Sequence, residues 1–174
     1  MQNTMSSSQL LSLCEQAVEA ALQEGAEHAE VYASDKLDLE IGLQKNDLDL
    51  VATAQESTFG IRVIHDGRQG FATANRPSRL RETAAEALAL ARVAPRDPLA
   101  DLASPDGPVL ACEPCSDPAF DEAQTEDMVK LAMRLLKQTL GIDPRLTVDS
   151  SELSLRRSTQ AIASSRGLSR SWRG

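Results

Sequence analysis

The stretch FGIRVIHDGRQGFATAN, residues 59–75, constrains the fold most, because two runs of alternating apolar residues flank Asp66-Gly67. An Asp-Gly pair between such runs is a strong signal for a two-residue type I′ turn. That turn would place His65 opposite Arg68 and so fix the register of the whole hairpin. The other predicted pairs are Val63 with Gly70, Ile61 with Ala72, and Phe59 with Ala74.

One face of this hairpin carries large side chains on its first strand opposite Gly and Ala on its second. Such a face is a shallow bed into which a helix can settle. The segment PSRLRETAAEALALARVAP supplies a helix directly afterwards, with Ser78 as the expected N-cap and Pro95 beyond the end. The opposite face, which includes Arg62 and Phe71, is expected to be solvated or covered by a second element. The apolar stripe of the helix is small enough for the bed: Leu80, Ala84, Ala87, Leu88 and Ala91.

Two further helices are predicted from apolar residues at helical spacing. The first follows an N-cap among Ser6 to Ser8 and stops at Gly25. The other runs from about Thr125 to Leu140. The predicted inward stripes are Leu10, Cys14, Ala17, Val18, Ala21 and Leu22 in the first, and Val129, Ala132, Met133, Leu136 and Leu140 in the other.

Period-two alternation predicts strands in the remaining segments. Three short strands are expected at residues 29–33, 37–44 and 48–52, with a turn at Lys45-Asn46-Asp47. A basic C-terminal segment returns to the same pattern around a turn at Arg166-Gly167, with its arginines as strand-exterior charges. A proline-rich connector, residues 95–120, separates the second and third helices and holds a possible short strand at residues 108–111. The fold class is therefore α+β: antiparallel sheets of hairpin-connected strands with two to three helices packed on them.

Composition and charge exclude several classes of protein. Aromatic residues are 3% of the chain, so the core must consist of Leu, Val, Ile and Ala. Residues 1–144 contain 12 Lys and Arg against 24 Asp and Glu, and this acidic body argues against a nucleic-acid partner. No apolar run has the length of a membrane span and no signal peptide is visible, so the chain is predicted to be cytoplasmic without a membrane partner. Three cysteines fit a reducing compartment.

The candidate chemical groups do not form a complete site in the sequence. Cys112 and Cys115 form a C-x-x-C pair, but no helix follows it directly as in redox proteins. Zinc would need further ligands, and Cys14, His28 and His65 are scattered over separate elements. Acidic runs at Asp35/Asp38/Glu40 and Asp121/Glu122/Glu126/Asp127 are more simply explained as solvated faces and first-turn helix charges. No catalytic, cofactor-binding or metal-binding residue is assigned.

Four segments together resemble the N-terminal region of the TldD/PmbA family, whose members were once labelled modulators of DNA gyrase. The most specific is STFGIRVIHDGRQGFATANR. The resemblance extends over nearly the whole chain, and the Asp-Pro spacer after the second helix is more similar to the PmbA (TldE) branch. The other three segments are GAEHAEVYAS, ALALARVAPRDPLADL and AIASSRGL.

The resemblance implies a cytosolic metallopeptidase built from two related subunits that processes unfolded peptides. In TldD-like members zinc is held by a His-Glu-x-x-x-His motif late in the chain, which PmbA-like members lack. This sequence has no such motif, so zinc is expected only in a catalytic partner subunit and no cofactor in this chain. Residues 1–174 are then one N-terminal domain without the C-terminal metallopeptidase-like domain. Either the sequence is a piece of a longer protein or it is a natural short product, and the unfinished last strand favours a piece.

The leading hypothesis is a subunit domain, inactive alone, that acts in assembly and in enclosing an unfolded peptide substrate. Its partner would be a related TldD-type subunit or a second copy. An alternative from another class is a stand-alone peptide-binding module that adds an extended peptide to a sheet edge. A third hypothesis is a thiol-based redox protein that uses Cys112 and Cys115.

Overall fold

The computed structural model describes residues 4–105, Gly107 and residues 117–174. Five strands form one antiparallel sheet in the order β3-β2-β1-β4-β5, and helices accompany them, so the predicted α+β class is confirmed. The elements are α1 (Ser7–Gln23), β1 (His28–Gln44), β2 (Asp47–His65), β3 (Arg68–Ala74), α2 (Leu80–Val93), α3 (Pro118–Glu122), α4 (Thr125–Leu140), β4 (Ser150–Ser164) and β5 (Ser169–Arg173).

The strands are longer and fewer in the N-terminal half than predicted. The first two expected strands are one continuous strand, β1, and the third is the beginning of β2. Alternation never changes phase along β1, because its buried apolar residues from Ala29 to Leu43 are all odd-numbered. Asp35 interrupts the apolar series without ending the strand, since this fully buried carboxylate accepts hydrogen bonds from Met5 N and Ser57 Oγ, each at 2.6 Å.

Helix α1 begins and ends as predicted. Ser6 is the N-cap and forms a capping box with Gln9, and Gly25 follows the helix with φ of 106°. That left-handed conformation is one that glycine adopts without a steric penalty. The predicted inward stripe is buried except for Leu22, which is 39% exposed, so that assignment was wrong.

The described residues divide into two compact units, and the larger one comprises Met5–Asp35, residues 56–105, Gly107 and Ser158–Gly174. In it, α2 packs on β3, and α1 packs against α2 and β5. The core between helices and strands is made mostly of Ala, Val, Ile and Leu with one aromatic ring, Phe59. This confirms a core built with few aromatic residues.

The β2–β3 hairpin has the predicted register throughout, from Phe59 opposite Ala74 to His65 opposite Arg68. Asp66 and Gly67 have φ of 52° and 62°, as a type I′ turn requires. A Cβ atom on Gly70 would lie 2.0 Å from the Ala87 carbonyl oxygen, so the backbone of α2 rests directly on β3. The predicted bed for this helix is confirmed.

The start of α2 differs from the prediction. Pro77–Arg79 form a short 3₁₀ turn, and the N-cap position falls on Arg79, which makes no side-chain capping bond. Ser78 is therefore not the cap. The predicted apolar stripe of α2 is buried in full, and the helix ends at Val93, two residues before Pro95.

The smaller unit contains Lys36–Gln55 and residues 117–157. Helix α4 has the predicted bounds and begins with a capping box between Gln124 and Asp127. Arg157 was predicted to point outward, but it is only 5% exposed and its Nη2 donates to the Ala123 carbonyl at 2.8 Å. The possible strand at residues 108–111 lies outside the described residues. The buried core residues of this unit are Leu39, Ile41, Leu43, Met128, Ala132, Leu136 and Leu155.

Candidate protein-interaction surfaces

The strands of the larger unit have one face covered by helices and one open face. Ala29, Val31 and Ala33 of β1 point to the helices and are fully buried, whereas Tyr32 between them is 44% exposed. Because successive side chains of a strand point to opposite sides, Tyr32 lies on the open face. Its neighbours there are Phe71 of β3, which is 54% exposed, and Trp172 of β5, which is 39% exposed. We call these three residues the aromatic face.

The aromatic face is held in place by specific contacts. The rings of Tyr32 and Trp172 have centroids 6.3 Å apart with planes at 45°, and Tyr32 Oη donates to Gln160 Oε1 at 3.2 Å. Gln160 lies directly opposite Trp172 in the β4–β5 ladder. Tyr32 is therefore held in place by two contacts: its ring packs against Trp172, and its hydroxyl donates a hydrogen bond to Gln160.

Phe71 lies across a gap left by glycine. A Cβ atom on Gly60 would come within 3.1 Å of the Phe71 ring, so the ring covers the bare backbone of β2. Arg62 stands opposite Phe71, and its Nη2 is 3.0 Å from Glu30 Oε1. The open face therefore presents apolar rings beside an internally paired cation, a composition common at the centre of protein interfaces.

A second surface feature is the outer edge of the first part of β2. Sheet order places β2 between β3 and β1, but pairing with β3 begins only at Phe59. Within the described residues, the segment Asp47–Gln55 therefore has β1 as its only strand neighbour. We call this segment the free edge.

Charged groups surround the β2–β3 turn. Arg96 forms an ion pair with Asp66, and Asp97 N donates to Gly67 O at 2.8 Å, so residues following α2 are tied to the turn. The hydrogen bond from Arg96 is the main cause that lowers the pKa of Asp66 below its usual value. An adjacent cavity of about 370 Å³ is lined by Glu27, Asp66, Gly67, Arg96, Asp97 and Pro98.

A second ion pair lies beside the β4–β5 turn. Arg166 Nη2 is 2.8 Å from Asp101 Oδ1 and 3.1 Å from His28 Nε2. A hydrogen bond from Leu102 N, with a contribution from Arg166, lowers the pKa of Asp101. Because Arg166 is the polar partner of both Asp101 and His28, we interpret these contacts as structural.

The residues considered for metal or thiol chemistry are not brought together. No group of three or more potential ligands occurs in the described part of the chain. Cys14 is buried in the larger core, and burial raises the pKa of its thiol to about 12, so it is unreactive at neutral pH. His28 contacts Arg166, and His65 pairs with Arg68 in the hairpin. Cys112 and Cys115 lie outside the described residues.

The two acidic runs are also dispersed. Asp35 is buried, whereas Asp38 pairs with Arg156 and Glu40 is exposed. In the second run, Asp127 contributes to the capping box of α4. The predicted explanation, solvated faces and helix-start charges, fits all of these except Asp35, whose hydrogen bonds with Met5 N and Ser57 Oγ the sequence does not reveal.

The aromatic face was only partly visible in the sequence. Hairpin register placed Phe71 and Arg62 together on the side away from the helix. The contribution of Tyr32 follows from its position between buried Val31 and Ala33, a signal that was present. Trp172 could not be added from sequence, because its position beside Tyr32 depends on the order of the strands.

Comparison with known proteins agrees with this architecture. The family model described as PmbA/TldA metallopeptidase domain 1 matches residues 29–91, which include all of β1 but its first residue, the β2–β3 hairpin and most of α2. Residues 29–91 of this chain thus match the first domain of the TldD/PmbA family. No curated protein sequence matches it. The family assignment predicted from the four sequence segments is confirmed.

Solved structures of similar fold include TldE from Thermococcus kodakarensis, with a TM-score of 0.81, 18% sequence identity, and coverage of 93% of this chain and 37% of that one. A protein described as a modulator of DNA gyrase from Bacteroides thetaiotaomicron gives a TM-score of 0.80 at 21% identity, with coverage of 93% and 38%. A similarly described protein from Thermotoga maritima gives 0.75 at 15% identity, with coverage of 93% and 36%. This chain thus spans a little over a third of the length of those proteins.

No helix in the described part of the chain combines the length and apolar character that a bilayer span requires.

Proposed function

We propose that this chain is the N-terminal domain of a TldD/PmbA-type peptidase subunit, which acts in the cytoplasm in assembly and in enclosing an unfolded peptide substrate. The aromatic face is the observation that carries the proposal. Apolar surface that is exposed in one contiguous patch of a monomer often marks an interaction site. In this proposal a related TldD-type subunit, or a second copy, covers that face, and peptide hydrolysis at zinc belongs to the TldD-type subunit.

The chemistry of the face favours a protein partner over a nucleic acid. Sheet-borne aromatic rings can stack on bases, but such sites combine the rings with cations that are free to meet phosphates. Here the cation beside Phe71, Arg62, is paired with Glu30. The acidic body of the chain would also repel a phosphate backbone.

The test is a binding titration of the purified chain with a full-length TldD-type subunit that carries the zinc motif, followed by sedimentation velocity. We expect a complex, and we expect the Tyr32→Ser/Phe71→Ser variant to weaken it by about tenfold or more, as for central aromatic residues of an interface. Leu90→Ser is the matched control, because Leu90 is 50% exposed on α2. Its affinity should stay unchanged.

Activity provides a second readout. The chain alone should hydrolyse no unfolded peptide and hold no zinc after dialysis, whereas its complex with the zinc-motif subunit should hydrolyse peptide. Stoichiometric zinc with turnover by the chain alone would overturn the proposed division of labour. An unaltered complex in the Tyr32/Phe71 variant, with circular dichroism showing intact structure, would remove the aromatic face from the assembly.

A second candidate function is the capture of extended peptides by strand addition. One observation favours it: the free edge, Asp47–Gln55, has a strand neighbour on one side only within the described residues. This function needs no partner subunit. Saturable peptide binding by the isolated chain would support it.

A further inference from the structure

The free edge combines backbone hydrogen-bonding groups with exposed apolar side chains. Leu48, Leu50 and Val51 are 39%, 42% and 43% exposed. Natural edge strands are usually protected from further pairing by lysine, proline, a bulge or a covering element. Asp47–Gln55 contains neither lysine nor proline. Its charged side chains, Asp47 and Asp49, are a protection of the kind that edge strands use, so the segment is suited to accept a strand that brings positive charge.

The side chains of the free edge define what can lie beside it. Leu48 and Leu50 are two positions apart and share one face of the strand, whereas Val51 lies on the other. A Cβ atom on Gly42 of β1 would be 3.1 Å from Leu50 Cβ, so Leu50 sits over this glycine rather than over a bulky neighbour. An added strand with apolar residues at alternate positions would cover these side chains.

The charges of the free edge are of one sign. Asp47 and Asp49 are exposed, and no Lys or Arg occurs between residues 47 and 55. Glu40 on β1 adds another exposed carboxylate, and Lys45 in the preceding turn adds one exposed cation. The local excess of negative charge favours a basic partner strand and disfavours a second copy, which would place four carboxylates of the two edge segments on one ribbon.

We propose that the free edge, Asp47–Gln55, binds an extended polypeptide segment of net positive charge with apolar side chains at alternate positions. This inference rests on the second candidate function, strand addition, and is independent of the aromatic face. The added strand pairs its backbone with β2, places apolar side chains beside Leu48 and Leu50, and directs its lysine or arginine residues toward Asp47 and Asp49.

The test uses the full 174-residue chain and three synthetic nine-residue peptides. The basic peptide alternates Val with Lys or Thr, the acidic peptide has Glu in place of each Lys, and the third is the basic peptide with every second backbone nitrogen methylated. Fluorescence anisotropy measures binding at low salt. We expect the basic peptide to bind about tenfold or more tightly than the acidic one, with a difference that shrinks as salt rises. The methylated peptide should not bind, because its backbone donors are blocked.

Two charge-reversal variants locate the site. Asp49→Lys should weaken binding of the basic peptide by about tenfold and strengthen binding of the acidic one. Glu19→Lys, at an exposed position on α1, makes the same change in net charge and should alter neither affinity. The Tyr32→Ser/Phe71→Ser variant should bind both peptides as the wild type does.

Each alternative outcome has a distinct meaning. If no peptide binds, strand addition itself is wrong. If peptides bind without preference for charge, or if Asp49→Lys and Glu19→Lys behave alike, strand addition survives but the inferred ligand or its location is wrong. If sedimentation shows that the chain dimerises and that Asp49→Lys abolishes the dimer, the occupant of the edge is a second copy and the inference is overturned.

Discussion

The two parts of β2 have the same backbone conformation but very different surroundings. From Phe59 to His65 the strand has β1 on one edge and β3 on the other, and its odd-numbered apolar residues Phe59, Ile61 and Val63 are fully buried. From Asp47 to Gln55 its one strand neighbour among the described residues is β1, and Leu48 and Leu50 remain about two-fifths exposed. Alternating apolar residues therefore predict a strand but do not decide its burial. Within β2, the buried part is the one that has both a covering helix layer and a second neighbouring strand.

Truncating a large apolar side chain should cost far more stability in the buried part of β2 than in the exposed part. Phe59→Ala should lower the free energy of unfolding by about 3–5 kcal/mol, because it removes a fully buried ring and leaves a cavity. Leu50→Ala, in the exposed part, should cost about 1 kcal/mol or less. Urea denaturation followed by circular dichroism measures both. Equal losses for the two variants would contradict the contrast and would mean that Leu50 is covered in solution.

A smaller effect is expected from adding a methyl group at a glycine beside each part. Gly70 lies opposite Val63, and a Cβ atom there would be 2.0 Å from Ala87 O and 2.5 Å from Ala91 N, both in the backbone of α2. Gly70→Ala should therefore cost about 3 kcal/mol, since neither backbone can move without repacking the helix. Thermal unfolding, followed by the circular dichroism signal of the helices, measures this loss of stability.

Gly42→Ala is the matched control for this change. A Cβ atom at Gly42 would meet Leu50 Cβ at 3.1 Å, and that neighbour belongs to the exposed part of β2 and can shift. Alanine also restricts the unfolded chain more than glycine does, which offsets the contact. The net change should be about 1 kcal/mol or less in either direction. A loss as large as that of Gly70→Ala would show that the exposed part is packed as rigidly as the buried part.

Local features of the chain could be predicted from the sequence because local chemistry determines them. The Asp66-Gly67 turn fixes the register of seven residue pairs, and the Ser6 cap and Gly25 stop define α1. The alternation of Gly70, Ala72 and Ala74 also predicted where α2 would lie. In each case the decisive residues are neighbours in sequence or are linked by a two-residue turn.

The features that sequence did not reveal depend on contacts between distant residues. Asp35 continues β1 because Met5 N and Ser57 Oγ satisfy its carboxylate, and nothing in the flanking residues indicates those partners. Arg157 turns inward because the Ala123 carbonyl accepts from it. The pairing of Tyr32 with Trp172 follows from strand order, which alternation alone leaves undetermined.

The smallest expected effect concerns the turn that closes the buried part of β2. The hydrogen bond and charge of Arg96 lower the pKa of Asp66, so the pair contributes stability above the usual aspartate pKa of about 4, and this contribution is lost as pH falls through the lowered value. Arg96→Gln should lower the Tm at neutral pH by at most about 3 °C, because the pair is exposed. The measurement is a Tm difference from wild type at neutral pH and again at about pH 2 to 3, where the difference should shrink as Asp66 becomes protonated.

A double-mutant cycle tests whether the effect of Arg96→Gln on the Tm depends on the ion pair with Asp66. Asp66→Asn keeps a residue that tolerates the left-handed backbone of the turn, whose φ is 52°. In that background Arg96→Gln should have little effect at any pH, because the carboxylate it contacts is absent. An undiminished effect of Arg96→Gln in the Asp66→Asn background would show that Arg96 acts through other contacts. The tie between Asp97 N and Gly67 O would then be what fixes the segment after α2 to the turn, and the charge of Asp66 would be incidental to the buried part of β2.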